Sequence, residues 1–299
     1  MEQYAIIIGV AVIAVSIYFM LSNRLQKTLV NVDTKIFLKI QHKLLLTHNT
    51  IKLILELPTP NHVLGLPIGS HIIIHGICDG ENFSRPYTPI TLDKYTNGVT
   101  ELVIKHYKPD PSADYKGGKM GNYLMSLNEG DELAVSGPKG RISCERINNA
   151  SVKFLIRLSY STPPYSLKCN KIGMIAGGTG LTPMYQYIQE ILFAEKNEIQ
   201  IYLIYANRSE DDILLFDDLN ELSRKYNGKL KIHYTIDRSI APEDWKYDIG
   251  FIDKDMVSKH FPPPGEDTVS LMCGPPIMMK LMKSLLVSMD YTDERVVKY

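Results

Sequence analysis

The sequence predicts a membrane-spanning helix, then a small antiparallel β-barrel, then an α/β domain built on a parallel sheet. Three observations carry that expectation. Residues 4–21 hold no charge, residues 34–145 read as short strands broken by Pro, Gly and Asn, and from Lys171 onward apolar strands alternate with helices. The expected units are an anchor at 1–23, a linker at 24–32, a barrel domain at 33–143, a connector at 144–169 and the α/β domain at 170–299. A chain of 299 residues is long enough for two domains of ordinary size. Its 33 basic and 33 acidic residues balance, so no overall field favours nucleic acid.

The first of these elements is the run YAIIIGVAVIAVSIYFML at 4–21. As a helix it reaches roughly 27 Å, enough for a bilayer core. Tyr4 and Tyr18 stand where interfacial rings belong. A cleaved signal peptide needs positive charge before the apolar run, and Glu2 stands there instead. Arg24 and Lys27 come after it, which places the rest of the chain in the cytosol by the positive-inside bias. Cys78, Cys144, Cys169 and Cys273 are scattered, without a CxxC pair, as suits that compartment.

In the barrel region, strands are expected at 37–40, 51–57, 71–75, 99–107 and 132–136, with one helix at 120–127. Between them lies Arg85-Pro86-Tyr87-Thr88-Pro89-Ile90. Two prolines make it rigid and non-helical. The rigid frame carries a guanidinium for phosphate, a ring for stacking and a hydroxyl that barely moves. A hairpin corner with an exposed Arg is the plainer alternative. Gly118-Lys119-Met120-Gly121 opens the helix, either as an anion site of free N–H groups or as an ordinary cap.

The connector holds Asn148-Asn149, Pro163-Pro164 and one apolar stretch, so one strand is expected there. The α/β part predicts strands at 172–176, 199–205, 230–236 and 269–273. Helices are expected at 182–194, 214–226, 254–260 and 276–288. Gly177-Gly178-Thr179-Gly180 joins the first strand to its helix. Such glycines let backbone approach a pyrophosphate at a helix N-terminus, or simply make a tight turn. Asp237 ends a later strand, where an acid accepts from a ribose 2′-hydroxyl or caps a turn. Arg208-Ser209 suits a 2′-phosphate, but Glu210, Asp211 and Asp212 oppose one, which favours NADH over NADPH. Cys273-Gly274-Pro275 closes the last strand with a small polarizable thiol, or with an inert buried one. Eight histidines show no HExxH or paired ligand spacing, so no metal site is expected.

Taken together, RPYTPI (85–90), LVIKHY (102–107), GGKM (117–120), GMIAGGTGLTPM (173–184), YANRSEDDILL (205–215), YTIDR (234–238) and LMCGPP (271–276) resemble the NADH–cytochrome b5 reductase family of ferredoxin-reductase-like flavoproteins. The resemblance runs from residue 33 to the end. It implies an FAD-binding barrel and an NAD-binding α/β domain, with hydride passing from NADH to FAD and single electrons to cytochrome b5. Arg85 is then expected at the FAD pyrophosphate, with Pro86 in the same motif, Tyr87 against the flavin and Thr88 at N5. Val103 and Lys105 are expected to line the flavin and ribityl site, Gly118, Lys119, Met120 and Gly121 the phosphates, and Thr182 the flavin side. Gly177, Gly178, Thr179, Gly180, Asp237, Cys273, Gly274 and Pro275 are expected to hold NADH, with Thr88 and Cys273 nearest the reacting atoms.

Four departures from the family pattern stand out: Gly121 for Ser, Lys108 for an aromatic, Ile277 for a third Pro and Tyr299 for Phe. Lys116, Lys119, Lys139 and Arg141 are candidates for a basic rim facing an acidic cytochrome b5, or are ordinary solvated charges. An anchor would confine the enzyme and a membrane-bound acceptor to one surface, at the endoplasmic reticulum or the outer mitochondrial membrane. A quinone or another haem protein is the alternative acceptor. A catalytically silent nucleotide-binding scaffold is the reading from another class.

Overall fold

The computed structural model describes residues 25–78, 80–108, 117–194, 196, 198–236 and 245–299. The expected anchor at 1–23, Lys116 and Asp237 lie outside them. Among the described residues no helix is long and apolar enough to cross a membrane.

The chain begins with β1 (Gln26–Lys27), which pairs in parallel with β4 (His62–Val63). Six longer strands come next: β2 (Ile36–Thr47), β3 (Thr50–Glu56), β5 (His71–Cys78), β6 (Glu81–Tyr87), β7 (Val99–Lys105) and β8 (Glu132–Lys139). They form one antiparallel sheet in the order β6-β5-β8-β2-β3-β7. Alternation explains its core. Ile51, Leu53 and Leu55 of β3 are essentially inaccessible, and they meet Leu38, Ile40, Ile72, Ile74, Leu102 and Ile104. Helix α1 (Lys119–Ser126) adds Met120 and Leu124, one turn apart, to the same cluster. The segment expected to be rigid and non-helical is extended, as strand through Tyr87. Pro86 is tolerated because β6 is an edge strand and leaves one side unpaired.

The connector holds three strands where the sequence predicts one: β9 (Ile142–Asn148), β10 (Ser151–Ile156) and β11 (Tyr165–Cys169), in antiparallel order β11-β10-β9. Asn148 makes the β9–β10 turn, its Oδ1 accepting from Ala150 N at 2.9 Å and Ser151 Oγ at 3.0 Å. Val152, Phe154, Ile156 and Leu167 join the α/β core, and Phe154 packs edge-on to Tyr187. The small sheet is therefore welded to the α/β half of the chain.

The last unit is a six-stranded parallel sheet of β12 (Lys171–Gly177), β13 (Gln200–Asn207), β14 (Leu230–Ile236), β15 (Asp248–Ile249), β16 (Thr268–Cys273) and β17 (Val296–Lys298). Its order is β15-β14-β13-β12-β16-β17. Helices α2 (Leu181–Leu192), α3 (Phe216–Lys225), α4 (Lys254–His260) and α5 (Pro276–Ser288) connect the strands. Alternate residues of β12 feed opposite faces: Ile172 and Met174 enter one core, and Ile175 enters the other with Ile204, Met272 and Leu286. A strand buried on both sides reads as continuously apolar, which is why β12 is so legible.

Candidate functional site

The chain enters the parallel sheet at β12, lays β13 and β14 to one side, then crosses to β16 on the other. At that reversal the loops after β12 and β16 diverge and leave a crevice, where open α/β sheets bind their ligands. Two of the expected motifs form its walls: Gly177-Gly178-Thr179-Gly180 after β12 and Cys273-Gly274-Pro275 after β16.

The glycines divide the work. A Cβ on Gly180 would lie 2.1 Å from the Cys273 carbonyl oxygen, and one on Gly274 would lie 3.1 Å from Gly177 N. These glycines let the two loops touch. Gly178 differs: its φ is +52°, and the nearest atom to an added Cβ is the Tyr107 hydroxyl at 3.9 Å. It presents backbone to open space, as phosphate approach requires. Thr182 Oγ1 donates to Thr179 O at 3.2 Å within the first turn of α2. Tyr205, the first residue of the YANRSEDDILL stretch but given no role of its own there, donates to Gly178 O at 3.0 Å and accepts from Leu214 N at 3.2 Å. Beside it, the buried Asn207 amide approaches the Tyr205 hydroxyl without forming a sound hydrogen bond to any described residue. An unsatisfied amide at the carboxyl end of β13 suits a ligand. Burial pushes the Cys273 thiol up to about 12, so it is a neutral contact group and not a nucleophile.

The residues expected beside a flavin lie on the two edge strands of the antiparallel sheet and next to them. Arg85, Pro86 and Tyr87 lie on β6, paired with Ile74, Ile73 and Ile72, and Val103 and Lys105 lie on β7. Arg85 is exposed and spends one donor on Ser84 O at 2.8 Å, its other guanidinium donors meeting no acceptor among the described residues. Burial raises the Tyr87 hydroxyl to about 12, despite the opposing Arg85 charge, so its ring stays neutral. Thr88 is 9% exposed, and its hydroxyl meets no partner among the described residues. Gly118 N donates to Tyr107 O, and Met120 faces the core. A Cβ on Gly121 would press to 3.3 Å from His106 Cδ2, so this departure makes room for a histidine. That His106 bonds Asn122 Oδ1 through Nε2 at 2.8 Å and leaves its buried Nδ1 unpartnered.

Two expectations about charge change. Lys105 does not point its ammonium into an open ligand site: Nζ lies 2.7 Å from Asp212 Oδ1 across the two units. Asn49 Nδ2 and Ser209 Oγ donate to the same carboxylate, each at 3.0 Å. Burial pushes the Asp212 carboxyl up, but these hydrogen bonds and the Lys105 charge outweigh it and hold it below the usual carboxylate range. Asp212 is thus committed to the join between the units. On the expected basic rim, Lys119 Nζ lies 2.7 Å from Glu81 and 5.1 Å from the Phe83 ring centroid, and Lys139 lies 3.5 Å from Asp33. Arg141 donates to Leu158 O at 3.0 Å. Local acids therefore compensate both lysines.

What brings the two halves together is a clamp the sequence did not advertise. Gln186 Nε2 donates to Pro89 O at 3.0 Å and its Oε1 accepts from Gly69 N at 3.1 Å. Gln189 Nε2 donates to Ile90 O at 2.8 Å. Both sit on α2, the helix that starts at the glycine loop, so the segment that carries Thr88 is tied to that helix. The available signal was a pair of amides three apart on a mostly apolar helix. Tyr299 adds a second tie: its hydroxyl, absent from Phe, donates to Gly69 O at 2.6 Å and lies 3.2 Å from the Tyr187 hydroxyl.

The family model described as "Oxidoreductase FAD-binding domain" matches residues 37–144, and "Oxidoreductase NAD-binding domain" matches residues 174–284. The chain is 42% identical over 261 residues to NADH-cytochrome b5 reductase 1 of Rattus norvegicus, covering 87% of this chain and 83% of that protein. It is 41% identical to NADH-cytochrome b5 reductase 1 of Homo sapiens with the same coverage. Among solved structures, the cytochrome b5 reductase domain of Ulva prolifera nitrate reductase superposes with a TM-score of 0.82 at 33% identity, covering 92% of this chain and all of that one.

Proposed function

Because this chain belongs to the NADH-cytochrome b5 reductase family, we propose that it oxidises NADH through bound FAD and reduces cytochrome b5. The observation that supports the reading is the clamp of Gln186 and Gln189 on Pro89 and Ile90, which ties the Thr88 segment to the helix that follows the glycine loop. The residues fit the two nucleotides. A threonine hydroxyl and a guanidinium with donors unspent on any described residue, and a glycine open at φ +52°, are what a flavin edge, a pyrophosphate and a dinucleotide backbone require. When bound, the pair supplies the chemistry: a hydride passes from NADH to FAD, and electrons leave singly to the haem.

The chain's own residues orient and exclude water. Arg85 and the backbone N–H groups of Lys119, Met120 and Gly121 would hold the FAD phosphates, the Gly118 N–H being spent on Tyr107 O, with Pro86 stiffening the strand. Tyr87 and Val103 give apolar walls, Thr88 a hydrogen bond at the flavin edge, and Thr182 a cap beside it. Gly177, Gly178, Thr179, Gly180, Gly274 and Pro275 would receive NADH, with Cys273 as a neutral wall and Asp237 at the adenosine ribose. Lys105 acts from a distance by joining the units through Asp212. The charge-free run at 4–21 supports a further part of the proposal, that residues 1–23 anchor the enzyme with its catalytic part in the cytosol. The membrane would be that of the endoplasmic reticulum or the mitochondrial exterior.

Anaerobic stopped-flow mixing tests the reading. Purified protein should be yellow, bleach with NADH faster than with NADPH, and recolour as it reduces cytochrome b5. A colourless protein, or one unbleached by NADH, overturns it.

A further inference from the structure

Two and three strands away from β12, three metal-ligating side chains converge at the outer edge of the parallel sheet. His233 comes from β14, Asp248 from the short edge strand β15, and His260 from the last residue of α4. Each brings a ligand atom to within 4.8 Å of the other two. His233 Nε2 and Asp248 Oδ2 are 2.9 Å apart. The His233 and His260 rings stack with centroids 3.6 Å apart and planes 6° from parallel. No spacing in the sequence announces this group, because three separate elements supply it.

We infer that His233, Asp248 and His260 bind one divalent transition-metal ion of the zinc class. Two imidazoles and one carboxylate are an N2O donor set of the kind zinc accepts, with a fourth position left to water. Magnesium and calcium prefer all-oxygen sets and suit it poorly. Around tetrahedral zinc, neighbouring ligand atoms stand about 3.3 Å apart, given bonds of about 2.0–2.1 Å. The His233–Asp248 contact reaches that by opening slightly as the ion takes the place of the shared proton. The stacked His260 ring must turn to aim its lone pair. Like Asp248 it is partly exposed, and it sits at a helix end, so it has room to do so. His233 is already buried and fixed, with Tyr247 edge-on to its ring. The Lys259 charge beside His260 opposes any cation here, and the Asp248 carboxylate offsets it.

Such an ion would bolt β15 and α4 to β14 and stabilise the unit by mass action. It involves no residue of the flavin or nucleotide site.

The test uses FAD-loaded full-length protein, freed of metal with a chelator, titrated calorimetrically with zinc chloride and optically with cobalt(II). One equivalent of zinc, a tetrahedral-type cobalt spectrum, and a melting temperature raised by zinc but not by magnesium are expected. His260→Gln and Asp248→Asn should each weaken zinc binding by about tenfold or more, with NADH-dependent flavin bleaching unchanged in the metal-free proteins. Absence of stoichiometric zinc binding by the wild type overturns the assignment. So does binding of equal strength in both variants, which would place the ion elsewhere.

Discussion

The Lys105 ammonium lies 2.7 Å from Asp212 Oδ1, with the two side chains only 7% and 10% exposed, and the pair joins the antiparallel unit to the parallel one. A buried pair is costly to form and costlier to break, because the survivor is left uncompensated. Lys105→Met should therefore cost about 3 kcal/mol, whereas the double change with Asp212→Leu should recover much of it. Urea unfolding of the four proteins in a double-mutant cycle gives the coupling.

The same pair fixes the sign of one pH effect. The Asp212 carboxyl titrates below its usual range in the folded state, so the unfolded chain binds its proton more readily. Its contribution is complete above the ordinary carboxylate value of about 4 and fades as pH falls through the lower folded value. Asp212→Asn should flatten that acid limb in a melting-temperature series, while leaving the slope above neutrality unchanged.

Thr88 is a largely buried residue whose hydroxyl has no partner among the described residues. Thr88→Val keeps its shape and removes one hydrogen bond, of about 1.4 kcal/mol, or roughly tenfold in rate. Flavin bleaching by NADH should slow by that factor with FAD retained. Loss of the yellow colour would assign Thr88 to cofactor retention.

Gly180 and Gly178 should respond differently to the same methyl group. Gly180→Ala drives a Cβ to 2.1 Å from the Cys273 carbonyl and must part the two loops, whereas Gly178→Ala meets only left-handed backbone strain of about 1 kcal/mol. Thermal melting and the KM for NADH should both be more severely damaged in the first variant.

The Gln186→Leu change strips Gly69 N of its acceptor and Pro89 O of its donor in a buried place. A loss of about 2 kcal/mol is expected, and hydride transfer should slow because Thr88 is no longer held against α2. Restoring the amide as Asn, one methylene short, should rescue little of the rate.

Burial lifts the Cys273 thiol to about 12, so it stays protonated where an ordinary thiol ionises. Alkylation at Cys273, measured by peptide mapping, should show no rise between pH 7 and pH 9, on the reference value of about 8.5 for a free thiol. Cys273→Ser should leave the pH profile of turnover without a new break.

Much of the α/β half was legible because β12, β13 and β16 are buried on both faces and their helices carry clear periodicity. The glycine loop and Cys273-Gly274-Pro275 were found for the same reason, since each sits where a legible strand ends. Strand β6 was missed because Pro86 forbids a strand unless the strand is an edge, and edges are decided by pairing partners far along the chain. Strands β9 and β11 were lost in the connector because Asn148-Asn149 and Pro163-Pro164 signal breaks without saying what they join. The Lys105–Asp212 pair, the Gln186 clamp and the Tyr205 contact to Gly178 are all contacts between distant segments, for which local spacing carries no sign. Asp237 falls outside the described residues.

Gln186 and Gln189 grip Pro89 and Ile90 through main-chain oxygens. Every amino acid has that oxygen, so the grip registers the path of the segment and ignores the identity of its side chains. Drift at residues 89 and 90 is thereby uncoupled from the placement of Thr88, provided the chain keeps its course. The lock is on the amide donors of α2, and an inherited change there would reach the flavin edge without touching a single residue of the motif that defines it.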